Sequence, residues 1–154
     1  MLRHLAWVAV VGVAASGVAA AESFPMPPAG ADIVGAPRSI EARQEDTLLD
    51  VARRHSLGYE EITKSNPGVD PWMPGAGTTV TLPKQRILPA APREGIVVNL
   101  PEHRLYYFAP AANGEAPVVH TYPVAIGKMD WNTPLGVTRI TQKVKNPTWT
   151  PPKS

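Results

Sequence analysis

Thr47-Leu48-Leu49-Asp50-Val51-Ala52-Arg53-Arg54-His55 is the stretch from which the fold of the first half of the chain can be worked out. Leu48, Val51, Ala52 and His55 fall at i, i+3, i+4 and i+7, the spacing that lines one face of a helix. Thr47, with Asp50 three residues on, is a capping-box pattern that satisfies free amides in the first turn. One face of this helix is expected to be buried, with Arg53 and Arg54 pointing outward. Upstream, 39–42 reads as a short extended piece. Downstream, Gly58 is expected to break the helix, and a second short helix runs over 59–65 with Ile62 inward. Asn66-Pro67-Gly68 forbids its continuation. In 79–82, Val80 and Leu82 alternate with threonines as in a half-buried strand. The predicted order is strand, helix, helix, strand.

Glu45-Asp46-Thr47-Leu48, Asn66-Pro67-Gly68-Val69-Asp70, Pro74-Gly75 and a closing strand ending in Leu82-Pro83 together resemble a LysM module over residues 39–83. Such modules recognise polymers containing N-acetylglucosamine. Glu45 departs from the pattern, since a glycine usually precedes the Asp-Thr-Leu triplet, and a side chain there narrows the expected groove. The resemblance implies a glycan groove at Asp46, Thr47, Leu48, Asn66, Pro67, Gly68, Val69 and Asp70. Read from the residues alone, the alternative is structural: Asp46 and Thr47 cap one helix, and Asn66 and Pro67 end another.

The flanking segments carry different signals. Arg3 and His4 precede the apolar run 5–18, and Ala19-Ala20-Ala21 closes it with small residues, so 1–21 reads as an export leader cut before Glu22. The alternative is a transmembrane helix, but the run falls short of the roughly 18 to 20 residues a bilayer needs. A mature protein that is soluble and periplasmic is therefore expected; export without a lipid-anchoring cysteine suits a Gram-negative periplasm, and the sequence does not identify the host. Residues 22–38 hold Pro25, Pro27, Pro28 and Pro37 and are expected to be a linker, because proline sustains neither a helix nor a central strand. Residues 84–94, with Pro89 and Pro92, read as a second linker. In all, 18 prolines and 12 glycines in 154 residues make about a fifth of the chain, less than the roughly 25 to 30% of a low-complexity chain.

Beyond 94 the pattern turns to β. The stretch 95–100 is a strand candidate, Pro101-Glu102-His103 a turn and 104–108 a returning strand, which makes a hairpin. Asn113-Gly114 marks another turn, 118–126 another strand, and 137–144 a further alternating one. The expected class is α+β and mostly β, a small βααβ unit followed by a mainly antiparallel sheet.

Within that β region, Tyr122-Pro123-Val124-Ala125-Ile126-Gly127, Asn132-Thr133-Pro134-Leu135-Gly136 and Lys145-Asn146-Pro147-Thr148-Trp149-Thr150-Pro151-Pro152 occur in an order that resembles the opening of the L,D-transpeptidase (YkuD-type) catalytic domain. The resemblance covers 95–154, the first part of that domain. It implies that a cysteine activated by a histidine attacks a peptidoglycan stem tetrapeptide at its meso-diaminopimelate residue. D-Alanine leaves, and the thioester passes to an amine on another stem or on an outer-membrane lipoprotein. Glycan strands and stem peptides are therefore the expected partners. The family's Ser-His-Gly-Cys signature and its upstream histidine are expected beyond Ser154, and the 154 residues contain no cysteine. No catalytic residue is carried over, and the 154 residues are expected to be a C-terminally truncated member without activity of its own. Unpaired strands are expected to leave 95–154 poorly ordered while 39–83 folds independently. Trp149, flanked by prolines, either lines a substrate cleft or packs on the sheet.

Charge excludes other classes. Residues 39–83 carry four basic and seven acidic side chains, and 84–154 carry nine and four. The basic residues are scattered without stacking aromatics, so nucleic acid is not an expected partner. His4, His55, His103 and His120 are dispersed, and no metal or other cofactor is expected.

Overall fold

The computed structural model describes residues 21–111, 114–127 and 132–150. The expected leader, all but Ala21, lies outside the described residues, as does Asn113 of the expected Asn113-Gly114 turn. Pro151 and Pro152, which close the last of the three resembling strings, lie outside them too, and so does Ser154, the residue beyond which the catalytic motif is expected. The described elements, in chain order, are β1 (Glu22–Pro25), β2 (Ile33–Val34), β3 (Arg38–Glu41), α1 (Leu48–Arg54), α2 (Tyr59–Lys64), β4 (Thr79–Leu82), β5 (Arg86–Ile87), β6 (Gly95–Asn99), β7 (Arg104–Phe108) and β8 (Val118–Pro123). All strand pairs among them are antiparallel.

The βααβ unit forms as the periodicity predicts. Thr47 is extended (φ −101°, ψ 158°), its hydroxyl accepts from Asp50 N, and the Asp50 carboxylate accepts from Thr47 N. Leu48, Val51, Ala52, Leu57, Ile62, Val80 and Leu82 form one core, roofed by β3 paired with β4. The helix break sits two residues earlier than expected. Ser56 takes the left-handed turn (φ 55°) while Leu57 N donates back to Ala52 O, and Gly58 instead caps α2 in extended geometry. The short, locally bonding serine side chain tolerates that conformation less readily than glycine, but the ring of bonds around it compensates. Arg53 points to solvent. Arg54 is exposed too, and from the surface it folds back to grip Asp46 with both terminal nitrogens.

The two expected linkers are structural elements. In the four-stranded sheet, ordered β1-β8-β7-β6, β1 forms an outer edge through Glu22↔Thr121 and Phe24↔Val119. Farther along, β2 and β5 pair and place Val34 and Leu88 in a second core with Tyr106, Phe108 and Val119. Prolines are compatible with this because β1 is an edge strand and Pro25 stands at its end, where the missing amide breaks no inner ladder. Gly35 is required where β2 leaves the pair. Its φ is +70°, and a Cβ would meet Lys84 O at 2.2 Å and the Phe24 ring at 2.7 Å.

The hairpin β6–β7 matches the prediction, with Asn99↔Arg104 closing it and His103 at φ 52° in the turn. The third strand ends at Pro123 rather than 126. Paired strands run through 95–99, 104–108 and 118–123, whereas 124–127 and 132–150 hold no strand or helix. The strand expected at 137–144 is absent, and Val137, Ile140 and Val144 are exposed. Alternation only buries a face when a neighbouring strand supplies ladder partners, and no described strand pairs with this segment.

Asn66 links the helices to the sheet of the βααβ unit. Its amide nitrogen donates to Ile62 O (2.7 Å) and Thr81 O (2.9 Å), and its Oδ1 accepts from Thr81 N (2.7 Å). Replacing Asn66 with Ala strands Thr81 N and two carbonyls, so the expected loss is about 2 kcal/mol, read as a lower urea midpoint at unchanged slope.

Candidate functional site

Leu48 N donates to Pro71 O (2.8 Å), which draws the loop after α2 against the start of α1. The eight residues singled out for glycan contact, from the start of α1 and the loop after α2, divide by role. Asp46 is buried and accepts from Arg43 N (3.0 Å) and from Arg54 Nη1 (2.6 Å) and Nη2 (2.7 Å). Thr47 is the helix cap, Leu48 lies in the core, Asn66 is the clamp described above, and Val69 packs on the core from outside. Pro67, Gly68 and Asp70 remain at the loop surface.

Two residues that the sequence reading passed over complete this surface. Trp72 is 63% exposed and Met73 79% exposed, and both backbone amides donate to Asp70 Oδ1, at 2.8 and 3.0 Å. Those two bonds hold the Asp70 carboxyl below its ordinary pKa. Asp70 thus works from within, fixing a loop that displays an indole ring and a thioether. The signal was present in Asp70-Pro71-Trp72-Met73-Pro74: two large apolar residues between prolines in a loop that follows a helix-ending Asn66-Pro67-Gly68.

A second surface lies near the C-terminal strings. Gly127 N donates to Thr133 Oγ1 (3.0 Å), so the 122–127 and 132–136 strings meet. Beside them an open groove of about 610 Å³ is lined by Leu100, Ile126, Asn132, Pro134 and Leu135 among others. Trp149 is 77% exposed, so it does not pack its ring on the sheet.

Three histidines fall among the described residues. His55 ends α1, and burial, followed by the nearby Lys84 charge, lowers its pKa. His103 occupies the β6–β7 turn. His120 Nδ1 shares a hydrogen bond with Ser23 Oγ (2.8 Å), and its ring stacks on Tyr107 with centroids 5.8 Å apart. The pairing of a serine with a histidine 97 positions away was not legible in the sequence, because it depends on β1 joining the sheet. Among the described residues no carboxylate bonds to His120, so the pair lacks the acid of a hydrolytic triad. Among them, too, no group of three or more His, Cys, Asp or Glu is arranged to hold a metal, and no helix is long and apolar enough to cross a membrane.

Sequence similarity agrees with the β region's strings. Residues 93–154 match YkuD, the L,D-transpeptidase catalytic domain. The chain is 42% identical over 136 residues to the probable L,D-transpeptidase YcfS of Escherichia coli (strain K12), covering 86% of this chain and 41% of that protein. It is 40% identical over 132 residues to the probable L,D-transpeptidase ErfK/SrfK of Salmonella typhimurium (strain LT2), covering 84% and 41%. To the probable L,D-transpeptidase YbiS of Escherichia coli (strain K12) it is 36% identical over 146 residues, covering 93% and 46%. The chain spans less than half the length of these relatives. Each alignment is longer than the catalytic-domain match, so the similarity takes in much of the βααβ unit as well.

The Arg54 guanidinium, more than any other neighbour, lowers the Asp46 pKa from 3.8 to about 2. A carboxyl depressed in the folded state stabilises above its unfolded pKa and loses that contribution as pH falls through its folded one. Stability is therefore expected to drop between pH 3.8 and about 2, and Asp46→Asn should flatten that limb of the urea midpoint plotted against pH.

Proposed function

We propose that these residues serve a peptidoglycan L,D-transpeptidase, with the βααβ unit as a LysM-like glycan-binding module and 93–154 as the opening of the catalytic domain. The observation that carries the reading is the match of 93–154 to that domain within alignments reaching 42% identity to probable L,D-transpeptidases. The reaction is acyl exchange. A cysteine thiolate attacks the meso-diaminopimelate carbonyl of a stem tetrapeptide, D-alanine departs as the amine, and the thioester is then aminolysed by a second stem or by a lysine of an outer-membrane lipoprotein. None of the 154 residues is a cysteine. On this reading the nucleophile belongs to sequence beyond Ser154, in keeping with the share of the relatives' length that the chain spans. Export to the periplasm completes the proposal; β1 begins at Glu22, the residue expected to follow the leader.

Trp72 then offers its ring to a sugar face while Asp70 holds the loop still. An indole stacked on a pyranose buries enough apolar area to contribute on the order of 1 to 1.5 kcal/mol. Trp72→Ala is thus expected to weaken cosedimentation with purified peptidoglycan sacculi about tenfold, with the circular dichroism spectrum unchanged because the ring supports no core. Failure of the wild-type chain to sediment with sacculi removes the glycan half of the proposal.

A second reading is a secreted wall-binding protein without catalysis, which rests on the resemblance of the βααβ unit to a LysM module alone. The two part on the coding frame downstream of residue 154, which carries a Ser-His-Gly-Cys signature only on the first. On both, mass spectrometry of the 154-residue chain after incubation with disaccharide-tetrapeptide is expected to show no acyl adduct, and an adduct would overturn the thiol mechanism itself.

A further inference from the structure

Between the βααβ unit and the four-stranded sheet lies a buried cluster of charge. Arg104 of β7 is fully buried, and all three of its guanidinium nitrogens are bonded. Nε donates to Glu61 Oε1 (3.1 Å), and Nη2 donates to Glu61 Oε2 (2.6 Å) and to Ser56 O (3.2 Å). Nη1 donates to Thr121 Oγ1 (3.0 Å). Glu61 also accepts from Gly58 N (2.6 Å), so the carboxylate that caps α2 is the one that holds Arg104. Arg86 of β5 approaches Glu61 to 3.4 Å, and Lys84 pairs with Glu22 of β1 (2.9 Å) while its ammonium donates to His55 O.

We propose that Glu61 and Arg104 are positioning residues: they hold the 67–73 loop in one fixed orientation to the β6–β7–β8 sheet, so that glycan on the loop meets the transpeptidase-like region at a set place. A planar, two-point guanidinium–carboxylate pair fixes angle as well as distance. Arg104 meets the βααβ unit at both Ser56 O and Glu61, and Lys84, paired with Glu22 of β1, adds a contact at His55 O. From Glu61 the path to the loop has no soft step. The α2 helix is six residues long, about 9 Å, and Asn66 at its far end is clamped to β4. The orientation claim stands on these contacts alone, and only its consequence for glycan rests on the proposed function.

The test uses the isotopically labelled 154-residue chain. Residual dipolar couplings of amides in 38–82 and in 95–123 are expected to fit one alignment tensor in the wild type. They should need two in Glu61→Gln/Arg104→Gln, with sacculus binding unchanged because neither residue lies in the Trp72 loop. If the double variant fails to fold, Glu61→Gln alone, which keeps the size and one acceptor of the carboxylate, is expected to show the same split. Two tensors in the wild type, or one shared tensor in a folded variant, overturn the proposal. Loss of sacculus binding by the wild type would sink the glycan reading and leave the tensor result standing.

Discussion

A guanidinium removed from water is the constraint around which the two halves are arranged. Arg104 is fully buried, and an ion in that position costs several kcal/mol unless its donors are met. Its partners come from the α1–α2 turn and α2 on one side and from β8 on the other. Separated, each half simply returns its charged group to solvent, so the pair adds little to net stability over the hydrated state. Its effect is on specificity. Any docking of the βααβ unit that misses the Glu61–Arg104 register buries one charge without the other, and the penalty excludes those arrangements.

Around this pair the neighbouring charges are uneven. Lys84, Arg86 and Arg104 face Glu22 and Glu61, and burial followed by the nearness of Arg104 lowers the Arg86 pKa. The N-terminal strand supplies one of the two carboxylates, so β1 is an electrostatic part of the junction as well as a sheet edge. Tyr106, in the adjoining core, keeps its proton far into the alkaline range because burial disfavours the phenolate, and its hydroxyl donates to Glu102.

Elements whose burial repeats along the chain were legible in the sequence. The α1 face, the Thr47–Asp50 box and the β6–β7 hairpin all carry local periods or caps, which a linear reading detects. What escaped it depends on contacts far apart in the chain. Residues 22–38 and 84–94 look like linkers because of their prolines, yet β1 pairs with β8 across about a hundred positions and β2 with β5 across about fifty. Glu61 and Arg104 drew no reading of their own from the sequence, since charge alone does not reveal a partner 43 positions away. The roles of the residues singled out around the 67–73 loop were half legible for the same reason. Capping and clamping explain Asp46, Thr47 and Asn66, and only the fold shows that Trp72 and Met73 are the side chains left outside.

Two tryptophans stand exposed among the described residues, and local geometry separates what they can do. Trp149 belongs to the 132–150 stretch, in which no strand or helix is described. Trp72 is already held: Asp70 Oδ1 accepts from its amide and the next, and Pro71 O is tied to Leu48 N at the start of α1. Folding has therefore already taken up the backbone entropy that binding at Trp72 would otherwise lose. The flat apolar ring thus sits on a loop tied to α1 and joined through Asn66, α2 and Glu61 to a buried arginine, so the same contacts that close the junction set the ring's direction relative to the sheet.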